Sequence, residues 1–153
     1  MAVQWDENLT VGIDMIDYQH RMIFGKVNTL LDAMAQSKRN KEVGKLIEFL
    51  TDYTIKHFCA EEELMIKHNY NAYPLQEAEH TIFIENLIDL RKEFETKCIT
   101  SNLLLRIQQQ LCNWLTKHIR NEDKNFGAFL KMRAQFGYLI NSAGNVELFS
   151  KHL

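Results

Sequence analysis

The chain has 153 residues, enough for one domain with a sizeable buried core, and its 46% hydrophobic content with a single proline favours long helices over turn-rich sheets. Eighteen basic against twenty acidic residues leave a formal charge of −2, and no Lys/Arg block interrupts the mixture, which argues against nucleic acid and an anionic membrane surface. No apolar run approaches the ~18 residues of a membrane span, and residues 1–6 lack a charged stretch followed by an apolar one, so a cytoplasmic location is expected.

Helices show where apolar residues recur at alternating steps of three and four. After an N-terminal arm, the first such stretch is Ile16, His20, Ile23, Val27, Leu30 and Met34, with Asp17 expected as its N-cap. Ser37, Lys38, Arg39 and Asn40 interrupt it, and the second stretch runs Val43, Leu46, Leu50, Tyr53, His57, Glu61 and Leu64. Asn69, Asn71 and Pro74 mark the next boundary. The third stretch reads Gln76, His80, Phe83, Leu87, Leu90 and Phe94, and the fourth Leu104, Ile107, Leu111, Trp114 and His118. Four helices of similar length with short connections predict an all-α, antiparallel up-down-up-down four-helix bundle over residues 1–130. Residues 131–153 form a short C-terminal extension of the same domain, in which Phe136, Leu139 and Ile140 permit an amphipathic helix and 141–145 a turn. The extension could cover the bundle end, mediate self-association or contact a protein partner. Cys59, Cys98 and Cys112 are odd in number and never spaced as C-x-x-C, so they are expected as small core residues rather than a disulfide framework or a thiolate zinc site.

A polar residue breaks each apolar seam: His20, then His57 with Glu61, then Gln76 with His80, then His118. One histidine on an apolar face is commonly a satisfied core side chain, so the weight rests on convergence. His20 and His57 stand about equally far from the first turn, as His80 and His118 do from the third, and Glu61 and His80 flank the second closely. At about 1.5 Å per residue an antiparallel bundle brings all of them to one layer near one end. Ions buried there without partners would cost several kcal/mol each, an objection that metal coordination removes. His57 with Glu61, and Gln76 with His80, are four apart and share a helical face, so each pair can serve neighbouring ions. His118 and Asp123 are five apart, about 140° around a regular helix, and need a local distortion or a reaching rotamer. His68 lies seven residues beyond Glu61, too far along the axis to join the same pair of ions. Mixed nitrogen and oxygen donors without thiolate suit iron or manganese, with zinc allowed on affinity.

These residues carry a resemblance. The segment from Trp5 through Gly12, Asp14 and Asp17 to His20, the H-x-x-x-E core in His57-Phe58-Cys59-Ala60-Glu61-Glu62, the run Glu79-His80-Thr81-Ile82-Phe83, and Trp114 through His118 to Asp123 resemble bacterial hemerythrins over roughly residues 4–130. The resemblance implies two iron ions bridged by Glu61 and Asp123 and by an oxo or hydroxo group. His20 and His57 would serve the iron that takes up O2 as a bound peroxide, and His80 and His118 the other. Leu115 matches the apolar residue covering the O2 pocket, with Trp114 beside it, although both read equally well as ordinary core. The family usually has H-x-x-x-H on its third helix, and here Gln76 takes the first of those positions. An amide carbonyl is a weaker ligand, so Gln76 either coordinates poorly, holds a water by hydrogen bond, or leaves a vacancy.

The functional expectation is O2 carriage, storage or delivery, with O2 or another small diatomic as partner. Alternatives are an O2 or redox sensor that oxidises rapidly, a diiron enzyme reducing O2, peroxide or nitric oxide, and a metal-free interaction bundle. The Glu-x-x-His-like spacings Asp17-x-x-His20 and Glu77-x-x-His80 imitate ferritin-like sites but leave His57 and His118 unexplained.

Overall fold

A computed structural model of the chain describes residues 4–36, 40–96, 100–136, 138–140 and 146–148. Three uninterrupted helices, α1 (Asp14–Ala35), α2 (Asn40–Lys67) and α3 (Tyr73–Thr96), are followed by a fourth helical run in five pieces. These are α4 (Ser101–Ile107), a π segment (Gln108–Asn113), α5 (Trp114–His118), a second π segment (Ile119–Asp123) and α6 (Lys124–Phe136). The expected four-helix bundle is therefore the observed architecture. Among the described residues no helix is long and apolar enough to cross a membrane.

The α1 and α3 seams are buried residue for residue as their periodicity implies. In α2 the face is wider than the predicted stripe: Leu46, Tyr53 and Leu64 are half-buried, while Ile47, Thr54, Phe58 and Met65 go inside. A helix that packs against neighbours on both sides buries more than one line of side chains. The fourth run departs further, because its buried line is Leu103, Ile107, Leu111 and Leu115 rather than Leu104 and Trp114. Three successive steps of four drift about 40° each on a regular helix, and the wide turn of the first π segment absorbs the drift.

Turn chemistry sets the second boundary. Asn69 has a φ of 54°, Tyr70 N–H donates to the Met65 carbonyl at 2.9 Å and Asn69 N–H to that of Ile66 at 3.1 Å. This is a Schellman stop with asparagine in the left-handed position. Pro74 then sits in the first turn of α3, where its missing N–H would have no helical partner.

Asp17 is not the N-cap of α1, which begins at Asp14 after Ile13. It lies in the first turn, buried, and its carboxylate accepts N–H bonds from Val11 at 2.7 Å and Gly12 at 3.0 Å, folding the arm back on the bundle. Gly12 has a φ of 91°, a conformation that favours glycine. The arm also presses on α6: a Cβ at Gly127 would lie 2.2 Å from the Val11 carbonyl oxygen. Gly127→Ala is therefore expected to lift the arm and destabilise the protein by about 1–3 kcal/mol. Chemical denaturation checks this, and an unchanged midpoint would mean that the arm is not held there.

Of the cysteines, Cys112 is buried, whereas Cys59 is exposed against expectation because His57, Phe58 and Glu61 use the inward face of that turn. Cys98 lies outside the described residues. The helix expected through Leu139 and Ile140 is also corrected: α6 ends at Phe136, and Tyr138–Ile140 pairs antiparallel with Val146–Leu148. Glycine follows Phe136 in sequence, and a Tyr-Leu-Ile run suits a strand. The turn expected at 141–145 lies outside the described residues. Arg133 of α6 donates to the His68 carbonyl and lies over the Phe129 ring, fastening this helix to the α2–α3 turn.

Candidate metal centre

Each helix delivers its polar residues to one layer. His20 comes from α1, His57 and Glu61 from α2, Gln76 and His80 from α3, and His118 with Asp123 from the fourth run, and all are buried. Their inward atoms interlock. Glu61 Oε1 is 3.5 Å from His20 Nε2 and 3.2 Å from His57 Nε2, while its Oε2 is 3.4 Å from His80 Nε2. Asp123 mirrors this, with Oδ2 3.3 Å from His20 Nε2 and Oδ1 3.1 Å from His118 Nε2. Each carboxylate thus offers one oxygen to each side of the layer. Potential ligand atoms gather in two sets sharing Glu61: His20, His57 and Glu61, and Glu61, His80, His118 and Asp123.

The second π segment resolves the five-residue spacing. Ile119–Asp123 has the wide i→i+5 turn, which swings Asp123 back onto the face of His118. The distortion is in the backbone, as the spacing allowed.

Three residues that sequence reasoning gave no role hold the imidazoles from outside. Gln19 Oε1 lies 2.9 Å from His57 Nδ1, Glu62 Oε1 2.8 Å from His80 Nδ1, and Glu79 Oε2 3.0 Å from His118 Nδ1. Each oxygen accepts a hydrogen bond from Nδ1–H, which turns Nε2 inward as the potential ligand atom. Each also stands next to a predicted ligand, on the helix before the histidine it holds, and that adjacency is the signal the sequence carried. Aromatic rings fix the planes: Phe58 stacks on His80 at 3.8 Å and Trp114 on His118 at 4.5 Å. Glu79→Gln should lower affinity for the His118 metal by roughly 10–100-fold, the usual scale for losing an outer carboxylate partner. Metal titration of the stripped protein checks this, and unchanged affinity would remove Glu79 from the centre.

Electrostatics set two imidazoles apart from the other two. Burial opposes charge on His20, but the facing carboxylates of Asp123 and Glu61 outweigh it and raise the pKa to about 9. His118 rises to about 9 against the same burial penalty, through Asp123 and then Glu61 and Glu79. Burial drives His57 well down and His80 to about 3, helped by neighbouring imidazoles. Burial, and then the charge of Asp123, raise Glu61 to about 7. Asp123 is held far below the usual carboxylate range despite burial, by His118 and His20.

Protons alone do not satisfy this layer. Both nitrogens of His20, Nε2 of His57, both oxygens of Glu61 and of Asp123, and Oε1 of Gln76 are buried without a hydrogen bond. Buried unpaired polar atoms cost about 1–3 kcal/mol each. Cations at the centre of the layer would satisfy the inward ones together, and four imidazoles with two carboxylates suit an intermediate transition metal.

One turn from this layer, toward the core, lies a small apolar void of about 10 Å³, no larger than a single water. Its walls include Ile23, Thr54, Phe83 and Leu115, each three residues from a histidine of the layer. Leu115 is one of these wall residues, while Trp114 lies beside it, stacked between Phe83 and His118.

An antiparallel helical bundle with a buried, mixed nitrogen and oxygen centre defines a metal-binding four-helix protein. Residues 11–130 match the Hemerythrin HHE cation binding domain, and the chain belongs to the hemerythrin family. It is 34% identical over 127 residues to a bacteriohemerythrin of Stenotrophomonas maltophilia, covering 83% of this chain and 80% of the relative. A bacteriohemerythrin of Methylococcus capsulatus is likewise 34% identical over 119 residues, 78% of this chain and 88% of that one. The crystal structure of a wild-type hemerythrin superposes with a TM-score of 0.73 at 29% identity, covering 84% of this chain and 97% of that chain.

Proposed function

We propose that the protein is a non-haem diiron O2-binding protein serving O2 carriage, storage or delivery. His20 and His57 would hold one iron and His80 and His118 the other, with Glu61 and Asp123 as the carboxylates shared between them and an oxo or hydroxo group completing the centre. Ferrous iron in this layer supplies the electrons that O2 needs to bind. The chain's own residues do the rest: carboxylates share the two charges, Gln19, Glu62 and Glu79 orient imidazoles, and the apolar wall keeps bulk water away.

The observation that carries this reading is the buried layer itself, whose inward imidazole and carboxylate atoms lack hydrogen-bond partners and gather in two sets sharing Glu61. The side chains one turn away, Ile23, Thr54, Phe83 and Leu115, are largely apolar, which suits an uncharged diatomic better than a charged substrate. The test is anaerobic loading with ferrous iron followed by mixing with O2. A coloured adduct that persists and reverses under vacuum supports it, and immediate irreversible oxidation rejects carriage.

Gln76 favours a second reading, an O2 or redox sensor, because a weaker ligand set on one iron speeds oxidation. Gln76→His should then slow autoxidation. An unchanged rate removes the basis for that alternative.

A further inference from the structure

The six charged and imidazole side chains divide evenly between two metals. Each side of the layer receives two Nε2 atoms and one oxygen from each carboxylate, which leaves open positions on an ion that takes up to six ligands. On the His20 side, the half-buried Trp5 of the arm lies against His20 with 6.3 Å between ring centres.

The other side is built differently. Gln76 is fully buried one helical turn before His80, and its Nε2 donates to the Glu122 carbonyl, next to Asp123, at 3.3 Å. Chemistry fixes which end of the amide is which, because a carbonyl only accepts and the NH2 group must face it. That leaves Oε1 as a buried acceptor with no protein partner. Outside the layer, on the Nδ1 side of His118, Glu79, Trp114, His118 and Glu122 line a separate cavity of about 80 Å³ that reaches the exposed Lys117 and Asn121.

We infer that the metal held by His80 and His118 keeps a second exchangeable coordination position, at which Gln76 Oε1 accepts a hydrogen bond from a bound water or hydroxide. Gln76 is a positioning residue there and not a ligand.

This inference rests on the diiron reading, so iron content is measured first on the full chain, and the diferric protein is then titrated with azide while absorption is followed. The expected result is two azide equivalents for the wild type, two for Gln76→Leu and one for Gln76→His, whose imidazole fills the second position. One equivalent for the wild type and two for Gln76→Leu would show that Gln76 itself coordinates, and the inference falls. One equivalent for both, or two for Gln76→His, also overturns it. Wild-type protein holding fewer than two irons overturns the diiron reading as well, whereas two irons with a single azide overturns this inference alone.

Discussion

Glu61→Gln is expected to collapse metal binding while leaving the metal-free bundle no less stable. Glu61 points Oε1 at His20 and His57 and Oε2 at His80, so it serves both halves of the centre. An amide has the same shape and only one oxygen, and cannot serve both. A ligand at a thousand times its Kd stabilises the folded state by about 4 kcal/mol, so loss of one or both metals should remove stability on that scale. Without metal the sign differs. Burial and the charge of Asp123 already raise the Glu61 carboxyl to about 7, so its ionised form opposes folding at neutral pH and a neutral amide relieves that cost. Denaturation of wild type and variant, each with iron and with chelator, separates the two effects. A variant that keeps two irons at wild-type affinity, or is much weaker than wild type in chelator, would contradict the bridging role.

Metal affinity should climb steeply from pH 6 to pH 9, with about two protons released for each pair of ions bound near pH 8. His20 and His118 have pKa values raised to about 9, so in that range the metal-free layer carries protons where metals would sit. Each proton a metal displaces below pH 9 costs about tenfold in affinity per pH unit, or 1.36 kcal/mol. The metal-free protein follows the opposite slope. A histidine whose folded pKa lies above 6.5 adds stability that is complete below 6.5 and is lost as pH rises through 9, and Glu61 loses its share as pH rises through 7. On the acid side Asp123, depressed below 3.8, and His80, depressed to about 3, add stability present above 3.8 and 6.5 respectively and lost as pH falls. Stripped protein should thus be most stable near neutrality. Calorimetry with cobalt(II) in buffers of different ionisation enthalpy counts the protons. Release of none, or affinity flat from pH 6 to 9, would refute this charge distribution.

How much of this was legible in the chain differs from helix to helix. His20 and His80 sit on seams whose steps of three and four match a regular helix, and the structure buries both seams as read. The fourth run departs from the reading by one residue at each end, Leu103 for Leu104 and Leu115 for Trp114, and the second of these follows a π segment that changes the angle per residue on which periodicity depends. Asp17 looked like a cap by type and spacing, yet its partners are N–H groups of an arm that folds back over the helix. Gln19, Glu62 and Glu79 are ordinary surface-type residues in one dimension, and become imidazole partners only across a helix pair.

By itself the sequence determined which side chains could converge and at what height, since register along antiparallel helices follows from rise per residue and turn placement. It also determined the chemistry of the donors, through the four histidines, Glu61 and Gln76 that interrupt the apolar seams and Asp123 five residues beyond the last of them. Tertiary structure alone decided which atoms face which. The bridging orientation of Glu61 and Asp123, the outer partners that aim each Nε2, and the hold of Glu122 on Gln76 depend on rotamers and on a backbone bulge. Those are set by packing between helices, where distances of a few tenths of an ångström matter and one-dimensional spacing carries no record of them.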